Sequence, residues 1–328
     1  NAVFEGYKFK RYNALLNYNN NLTKSISVGT IINMTYKDRK EPPFTGENMA
    51  LLVYAAGPLY GPFLPDGSGR IVSRAYANEG RNRNPQEAYA MGEQTTKEYN
   101  INAQAYIDIK PFKGFTWSSK VAINYVDEYY KMYQHPYSAY LLQDRAAGTN
   151  EYVANSFGPD ILGVTDQYSK VLNPTVYSTI TYEKTLGENH NLKALAGFEQ
   201  LSYKNQNLRG RRINTVAPIL EDLTGYSASG ESLYFTHPRL PSLAGPSEWG
   251  MRSLFGRINY DFKGKYLLEA NIRYDGTSKV SPDYRWGVFP SFSAGWLVAE
   301  ESFLKDKLSW LSSFKIRGSY GTLGNQDI

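Results

Sequence analysis

The sequence predicts an all-β fold, an antiparallel transmembrane β-barrel wall of about ten strands. Three observations point there. Apolar and polar residues alternate one by one along many stretches. Short turns and long loops alternate between those stretches. Aromatic residues abound, yet no segment is apolar for long enough to cross a membrane as a helix.

The alternation is clearest over residues 99–110. Tyr99, Ile101, Ala103, Ala105, Ile107 and Ile109 are interleaved with Asn100, Asn102, Gln104, Tyr106, Asp108 and Lys110. Successive strand residues face opposite sides, so one face is apolar and the other polar. A helix would place apolar residues three and four apart, which this stretch does not. Such a wall has either a core and a watery face, or a lipid face and a watery lumen.

Taken in order, the first strand carries Tyr12, Ala14, Leu16 and Tyr18 on one face, and Asn19-Asn20-Asn21 turns it. Ile26, Val28, Ile32, Met34 and Tyr36 lie on the second. Residues 38–98 then read as a long irregular loop, rich in Pro, Gly and Arg. After 99–110, Pro111-Phe112-Lys113-Gly114 is a turn, and Phe115, Trp117, Val121, Ile123 and Tyr125 return. A second long loop spans 130–169. Val176, Ile180 and Tyr182 follow, then Leu186-Gly187-Glu188-Asn189 as a turn and Leu192, Ala194, Ala196 and Phe198 on the way back. The third long loop is 205–250. The last quarter reads as two hairpins, the first turned by Lys263-Gly264-Lys265, and a final strand around Phe314, Ile316, Gly318 and Tyr320 that lacks a partner.

Short turns therefore follow the first, third, fifth and seventh strands, and long loops follow the second, fourth and sixth. All short turns fall at one end of the sheet. A soluble sandwich has no reason to sort loop length by end, whereas an outer-membrane barrel does. The connection after the ninth strand, 299–313, is too long for a tight turn and departs from the pattern.

Composition agrees. The 28 Tyr, 15 Phe and 5 Trp suit strands and interfacial girdles, although mean hydropathy is only −0.50. The longest apolar run is 49–56, against about 18–20 residues for a helical span. A net charge of +5 gives no argument for nucleic acid. Zero Cys excludes disulfides, thiolate metal sites and a Cys nucleophile. The chain starts at Asn1 with neither initiator Met nor a signal-like segment, as expected of a processed chain or a fragment.

Three stretches carry a family resemblance. Arg273-Tyr274-Asp275-Gly276-Thr277-Ser278-Lys279 resembles the R-x-D-G-S-S-[RK] run of the SusC/RagA-type TonB-dependent transporters. Arg285-Trp286-Gly287-Val288-Phe289-Pro290-Ser291, with the closing Gly295-Trp296, is similar to their [WY]-G-x-F-P-S segment. Residues 315–326, from Lys315-Ile316-Arg317-Gly318-Ser319-Tyr320-Gly321 to Gly324-Asn325-Gln326, resemble L-K-[LIV]-R-[AG]-S-Y-G-x-x-G-N-Q. Thr277, Val280 and Phe314 replace the usual Ser, Phe and Leu. Phe255-Gly256-Arg257-Ile258-Asn259-Tyr260 resembles F-G-R-x-N-Y, and Asn84-Pro85 matches a pair frequent in the first long loop of relatives.

The resemblance implies a 22-stranded barrel plugged by an N-terminal domain. Residues 1–328 would be part of the barrel domain, with plug, TonB box and closing strands outside this chain. It further implies a bacterial outer-membrane location and import of a bulky glycan or oligopeptide. Energy would come from an inner-membrane TonB complex, and a SusD-like surface lipoprotein would be the partner. A passive porin or adhesin-like barrel without energy coupling is the alternative.

Neither catalytic, cofactor nor metal residues stand out. His135, His190 and His237 are far apart and read as loop or turn residues. Residues 225–230 miss the G-x-S-x-G spacing. Asp66-Gly67-Ser68-Gly69 lacks the later ligands of a calcium loop. Glu300-Glu301 sits in a connection. Two clusters are candidate contacts. Tyr133, Tyr137 and Tyr140, with Tyr129 and Tyr130, crowd the second long loop and suit stacking on sugars or peptide side chains, or packing of the loop on itself. Arg209, Arg211 and Arg212 lead into the third loop and suit lipopolysaccharide phosphates or an acidic ligand, or form a solvated basic patch.

Overall fold

The computed structural model describes residues 6–43, 46–55, 61–77, 84–156, 163–213, 223, 232–234, 246–305, 307 and 310–325. Ten strands form one open antiparallel sheet in chain order: β1 (Lys8–Asn21), β2 (Ile26–Glu41), β4 (Gly92–Ile109), β5 (Phe115–Gln134), β8 (Gly163–Leu186), β9 (His190–Ile213), β11 (Ser247–Phe262), β12 (Tyr266–Thr277), β13 (Trp286–Leu297) and β14 (Lys315–Gly321). A short β10 (Ser232–Tyr234) pairs with Arg209–Arg211 of β9. The first and last strands lie at opposite edges and do not pair. The final strand is not partnerless, however. Lys315 to Gly321 is in register with Leu297 to Ser291 of β13.

Cross-strand partners share a face, so the registers fix which side chains lie together. Tyr12, Tyr36 and Tyr99 form one outward row. Phe198, Leu254, Tyr274 and Val288 form another, and Tyr266, Trp296 and Ile316 a third. Many apolar side chains on this face are exposed: Leu254 and Ile258 are each 54 % exposed, Val288 55 % and Phe292 57 %. A continuous outward apolar surface of this kind has no place in water and suits lipid.

Aromatic rings border the apolar band at both ends. Tyr36 and Tyr99 lie 4.8 Å apart near the loop end, and Tyr274 stacks on Trp286 at 4.7 Å. Tyr266 and Trp296 stack at the turn end. The rows also measure the tilt. Tyr99 on β4 and Trp286 on β13, the last outward aromatics toward the loop end, stand six residues apart over six strand-to-strand steps. At the turn end Trp117 on β5 and Trp296 on β13 stand six residues apart over five steps. With about 3.4 Å per residue and about 4.8 Å per strand, both offsets give a tilt of about 35–40°. That is the tilt of membrane barrels.

The tight turns follow their residues. Lys263 and Gly264 both have positive φ (56° and 67°) and are the central pair of a β-turn closed by the Lys265 N–H on the Phe262 carbonyl at 3.0 Å. Gly276 meets a different demand. A Cβ there would stand 2.6 Å from the Trp286 ring, so only glycine lets that ring lie flat on the neighbouring backbone. Pro174 sits in β8 and has no N–H to donate, and the β8–β9 register skips Asn173 and Pro174.

Two expectations are corrected at the loop end. The long loops are shorter than their punctuation suggests, because β2, β4, β5, β8 and β9 run on beyond the aromatic border. Those extensions mix polar, aromatic and apolar residues on both faces, so they carry no amphipathic signal. Nor is the first insertion irregular. It holds α1 (Gly46–Ala55), β3 (Ile71–Arg74) and α2 (Pro85–Ala90), and the second holds β6 (Ala139–Arg145) and β7 (Tyr152–Ala154). β3, β6 and β7 form a separate small sheet in which β3 and β6 are parallel, so the antiparallel rule ends with the main wall.

Most of the buried apolar residues are here rather than in the wall. Met49, Leu64, Val72, Ala88, Ala139 and Leu141 are at most 3 % exposed. Asn84-Pro85 builds the entry to this cap. Asn84 Oδ1 accepts the Gln86 N–H at 3.0 Å, Pro85 opens the helix, and Asn84 Nδ2 donates to the Pro62 and Val72 carbonyls at 2.6 and 2.9 Å.

Ala105 lies outward in the middle of β4, and Gln104 inward. Ala105→Arg in the intact barrel is expected to cost about 2–4 kcal/mol, whereas Gln104→Arg is tolerated. Since a protein core also rejects Arg, the discriminating measurement is quenching by brominated lipid. Fluorophores on single Cys at 103 and 105 are quenched and those at 102 and 104 are not; equal quenching on both faces contradicts the assignment.

Candidate functional site

The inner face is a polar surface whose side chains bond along and across strands. Thr35 Oγ1 donates to Asn13 Oδ1 at 3.0 Å, Asn102 Nδ2 to Asn100 Oδ1 at 2.8 Å, and Ser118 Oγ to Asp108 Oδ1 at 2.6 Å. Over β11–β13 the network is charged. Arg257 Nε donates to Asn271 Oδ1 at 2.6 Å, and Asn271 Nδ2 to Glu269 Oε1 at 2.8 Å. The Arg273 guanidinium reaches Asp275 Oδ1 at 3.2 Å and Glu199 Oε2 at 3.5 Å.

Arg273 also lies 5.1 Å over the Phe255 ring, which in turn stacks with Tyr177 at 5.8 Å. Phe255 covers Gly197, where any Cβ would strike its ring. Arg273 and Asp275 of the Arg273–Lys279 motif thus face inward, and its Gly276 seats Trp286 on the outer face. Two inner hollows, about 890 and 680 Å³, share Glu269, Ser293 and Ser319 on their linings. This is a wettable wall able to hold hydrophilic cargo by hydrogen bonds and ion pairs, with aromatic faces between.

The tyrosine candidates are not one cluster. Tyr129, Tyr130 and Tyr133 belong to β5, not to a loop. Tyr129 and Tyr133 face outward, and Tyr129 packs on Tyr168 at 4.7 Å. Tyr130 faces inward and donates to Gln94 Oε1 at 2.9 Å, while Gln94 Nε2 donates to Glu41 Oε1 at 3.0 Å. Tyr137 donates to the buried Glu87 carboxylate at 2.7 Å. Tyr140 on β6 sits under the Arg70 guanidinium at 4.9 Å.

Arg209, Arg211 and Arg212 belong to β9, opposite Gln167, Thr165 and Val164. Arg209 and Arg211 face inward. Arg212 faces outward and donates to the Leu223 carbonyl at 3.0 Å.

Among the described residues no three His, Cys, Asp or Glu could hold a metal. His190 is the first residue of β9 and its Nδ1 lies 2.7 Å from the Tyr260 hydroxyl. His135 follows β5, beside Tyr133. His237 and residues 225–230 lie outside the described residues. Asp66 is tied within its turn, bonded by Ser68 and by Arg70 at 2.6 Å, and these bonds hold its carboxyl at about 2.

Glu301 was inconspicuous in the sequence and proves to be a clamp at the turn end. Its Oε1 accepts from the Tyr266 hydroxyl at 2.7 Å and Trp296 Nε1 at 3.1 Å, and its Oε2 from Lys265 Nζ at 3.1 Å. It ties the β12–β13 girdle to the connection that leads to β14. These bonds, the Tyr266 one foremost, lower its carboxyl to about 2. The signal was a carboxylate five residues after an interfacial Trp, legible only once the chain is known to turn back there.

Residues 33–325 match the family described as TonB dependent receptor-like, beta-barrel. The chain belongs to this family of TonB-dependent receptors. It is 25 % identical over its whole length to TonB-dependent receptor P39 of Formosa agariphila, covering 28 % of that protein. It is 33 % identical over 193 residues to TonB-dependent receptor SusC of Bacteroides thetaiotaomicron, which is 56 % of this chain and 17 % of SusC. Among solved structures, the RagAB peptide transporter superposes with a TM-score of 0.74 at 20 % identity, over 98 % of this chain and 34 % of that one. This TonB-dependent receptor wall therefore spans about a third or less of the proteins it matches. The SusC/RagA-like motifs and the sheet order agree with them.

The Glu301 clamp has a pH signature. A carboxyl lowered in the folded state stabilises fully above its ordinary value near 4.5, and the contribution is lost as pH falls toward about 2. Thermal melts of the intact barrel between pH 5 and 2.5 should fall more steeply for the wild type than for Glu301→Gln. Parallel curves would mean that the carboxylate contributes nothing.

Proposed function

We propose that this chain is a section of the wall of an outer-membrane importer that carries a bulky hydrophilic nutrient, a glycan or an oligopeptide, with energy from TonB. The observation that carries the reading is the two-faced wall of a family member: apolar and girdled outside, hydrogen-bonded and charged inside, tilted by about 35–40°. On this reading residues 1–328 belong to the barrel domain and a plug domain closes the lumen. Cargo then passes only when the plug is displaced, so transport is gated and needs an energy input. A lumen lined by Asn, Ser, Arg and Glu lets a large polar solute move without shedding all its water.

The cap built from α1, α2 and the small sheet lies at the loop end, which the proposal places outside the cell. Such elaborated loops are usually functional. They are the natural seat for a SusD-like lipoprotein, and RagAB, itself a peptide transporter, supports the two-component arrangement by analogy. The reading assigns no chemistry to the wall, so the protein is not an enzyme. Tyr133, Tyr137, Tyr140, Arg209, Arg211 and Arg212 stand as proposed ligand or partner contacts near this rim.

The test is uptake of labelled oligosaccharide or oligopeptide by cells carrying the intact transporter, with and without TonB. Energised import stops when TonB is removed, and a surface lipoprotein co-purifies in mild detergent. Uptake that persists without TonB would make the barrel a passive porin, and repeated recovery of the barrel alone would remove the lipoprotein.

A further inference from the structure

The outward residues that follow the aromatic border at the loop end are mostly charged. Lys170 pairs with Asp127 at 3.7 Å, and Lys204 with Glu248 at 3.7 Å. Two arginines at the same border, Arg252 on β11 and Arg285 before β13, have no carboxylate partner among the described residues. Arg252 spends its Nε on Gln200 Oε1 at 3.0 Å, and Arg285 its Nε on the Val280 carbonyl at 3.4 Å. Glu199 and Asp275, the acids nearest Arg252 across the strands, point to the other face of the sheet, toward Arg273, and Asp283, two residues before Arg285, is exposed and forms no ion pair with it.

The two arginines line one cavity of about 360 Å³, together with Gln200, Ser202, Ser278 and Trp286. Gly250 lines it with bare backbone, while the Trp286 ring covers Gly276. This lining is held in place. The Gly250 N–H donates to Ser278 Oγ at 2.8 Å, the Ser278 N–H to the Gly250 carbonyl at 2.9 Å, and the Thr277 N–H to the Arg285 carbonyl at 3.0 Å. Since Ser278 Oγ accepts that bond, its own hydroxyl proton is left to donate.

We propose that this cavity binds the phosphate of an outer-leaflet glycolipid. The inference rests on the reading of the outer face as lipid-exposed. Depth decides the ligand: Trp286 and Tyr274 mark the interfacial level, and the cavity opens beside them on the lipid side, where headgroups lie and soluble cargo does not. Charge and shape agree. Guanidinium groups bond two phosphate oxygens at once, a serine hydroxyl supplies a third donor, and the bare backbone at Gly250 lets a sugar ring approach. The acyl chains then run down over Leu254, Ile272 and Val288, which are exposed below the cavity. Arg252 and Arg285, rather than Arg209 and Arg211, are thus the arginines placed for a lipid phosphate.

The intact transporter, stripped by detergent exchange and reconstituted in phosphatidylcholine nanodiscs, is titrated with phosphorylated lipid A and with its dephosphorylated form. Saturable binding of the phosphorylated form is expected, weaker by about tenfold for Arg252→Gln/Arg285→Gln and about threefold for each single change. Lys170→Gln/Lys204→Gln serves as the control and leaves binding unchanged. Heat-modifiable gel migration reports whether each variant is folded, and the single variants carry the test if the double one is not. Equal affinity for both lipid A forms overturns the site, as does undiminished binding by folded variants. Competition by inorganic phosphate at lipid A concentrations assigns the cavity to a soluble anion instead. If Trp fluorescence shows no lipid contact in the wild type, it is the lipid-exposed reading of this face that fails.

Discussion

Hydrocarbon offers no partner to a peptide N–H or C=O, so a chain that crosses a membrane by strands must satisfy both within the sheet, residue by residue. The β5–β8 ladder runs unbroken from Phe115 to Gln134, and its neighbours are paired almost as fully. Every other feature of the wall is tied to that requirement. Once the ladder is complete, side chains alternate by necessity, and a sequence with apolar residues at every second position presents one face to lipid and one to water. Pro174 shows the tolerance: the missing donor interrupts one register over two residues and no further.

The two faces are held by different means. Outside, contacts are apolar, and the aromatic borders set the depth. Glu301 fastens the turn-end border by accepting three bonds from the girdle and the turn beside it. Inside, the polar side chains hold one another, as in the run from Arg257 through Asn271 to Glu269. Each is partly paired and retains donors or acceptors for water or cargo. That suits a surface across which polar solutes pass without being trapped.

Above the wall, the chain folds by the ordinary rules of water. Met49, Val72 and Ala139 are fully buried, and the Asn84 amide at the start of α2 donates to the Pro62 and Val72 carbonyls. The cap owes its stability to apolar burial and the wall to backbone pairing. A lesion in one need not unfold the other.

The sequence by itself determined the wall. Period-two alternation at 99–109, turn chemistry at Lys263-Gly264 and the sorting of short turns to one end are local properties, and they specified strand number, order and the polarity of each face. It did not determine the strand ends. Beyond the border neither face meets lipid, so residues such as Tyr129 to Gln134 or Gln206 to Ile213 show no alternation although their backbones remain paired. Nor did it show the cap, where β3 and β6 pair in parallel across more than sixty residues and the apolar residues are scattered through Pro- and Gly-rich chain. The candidate contacts suffered for the same reason. Whether Arg209 or Arg252 faces lipid depends on strand parity and on the depth of the aromatic border, and both follow from the register across several strands rather than from any one of them.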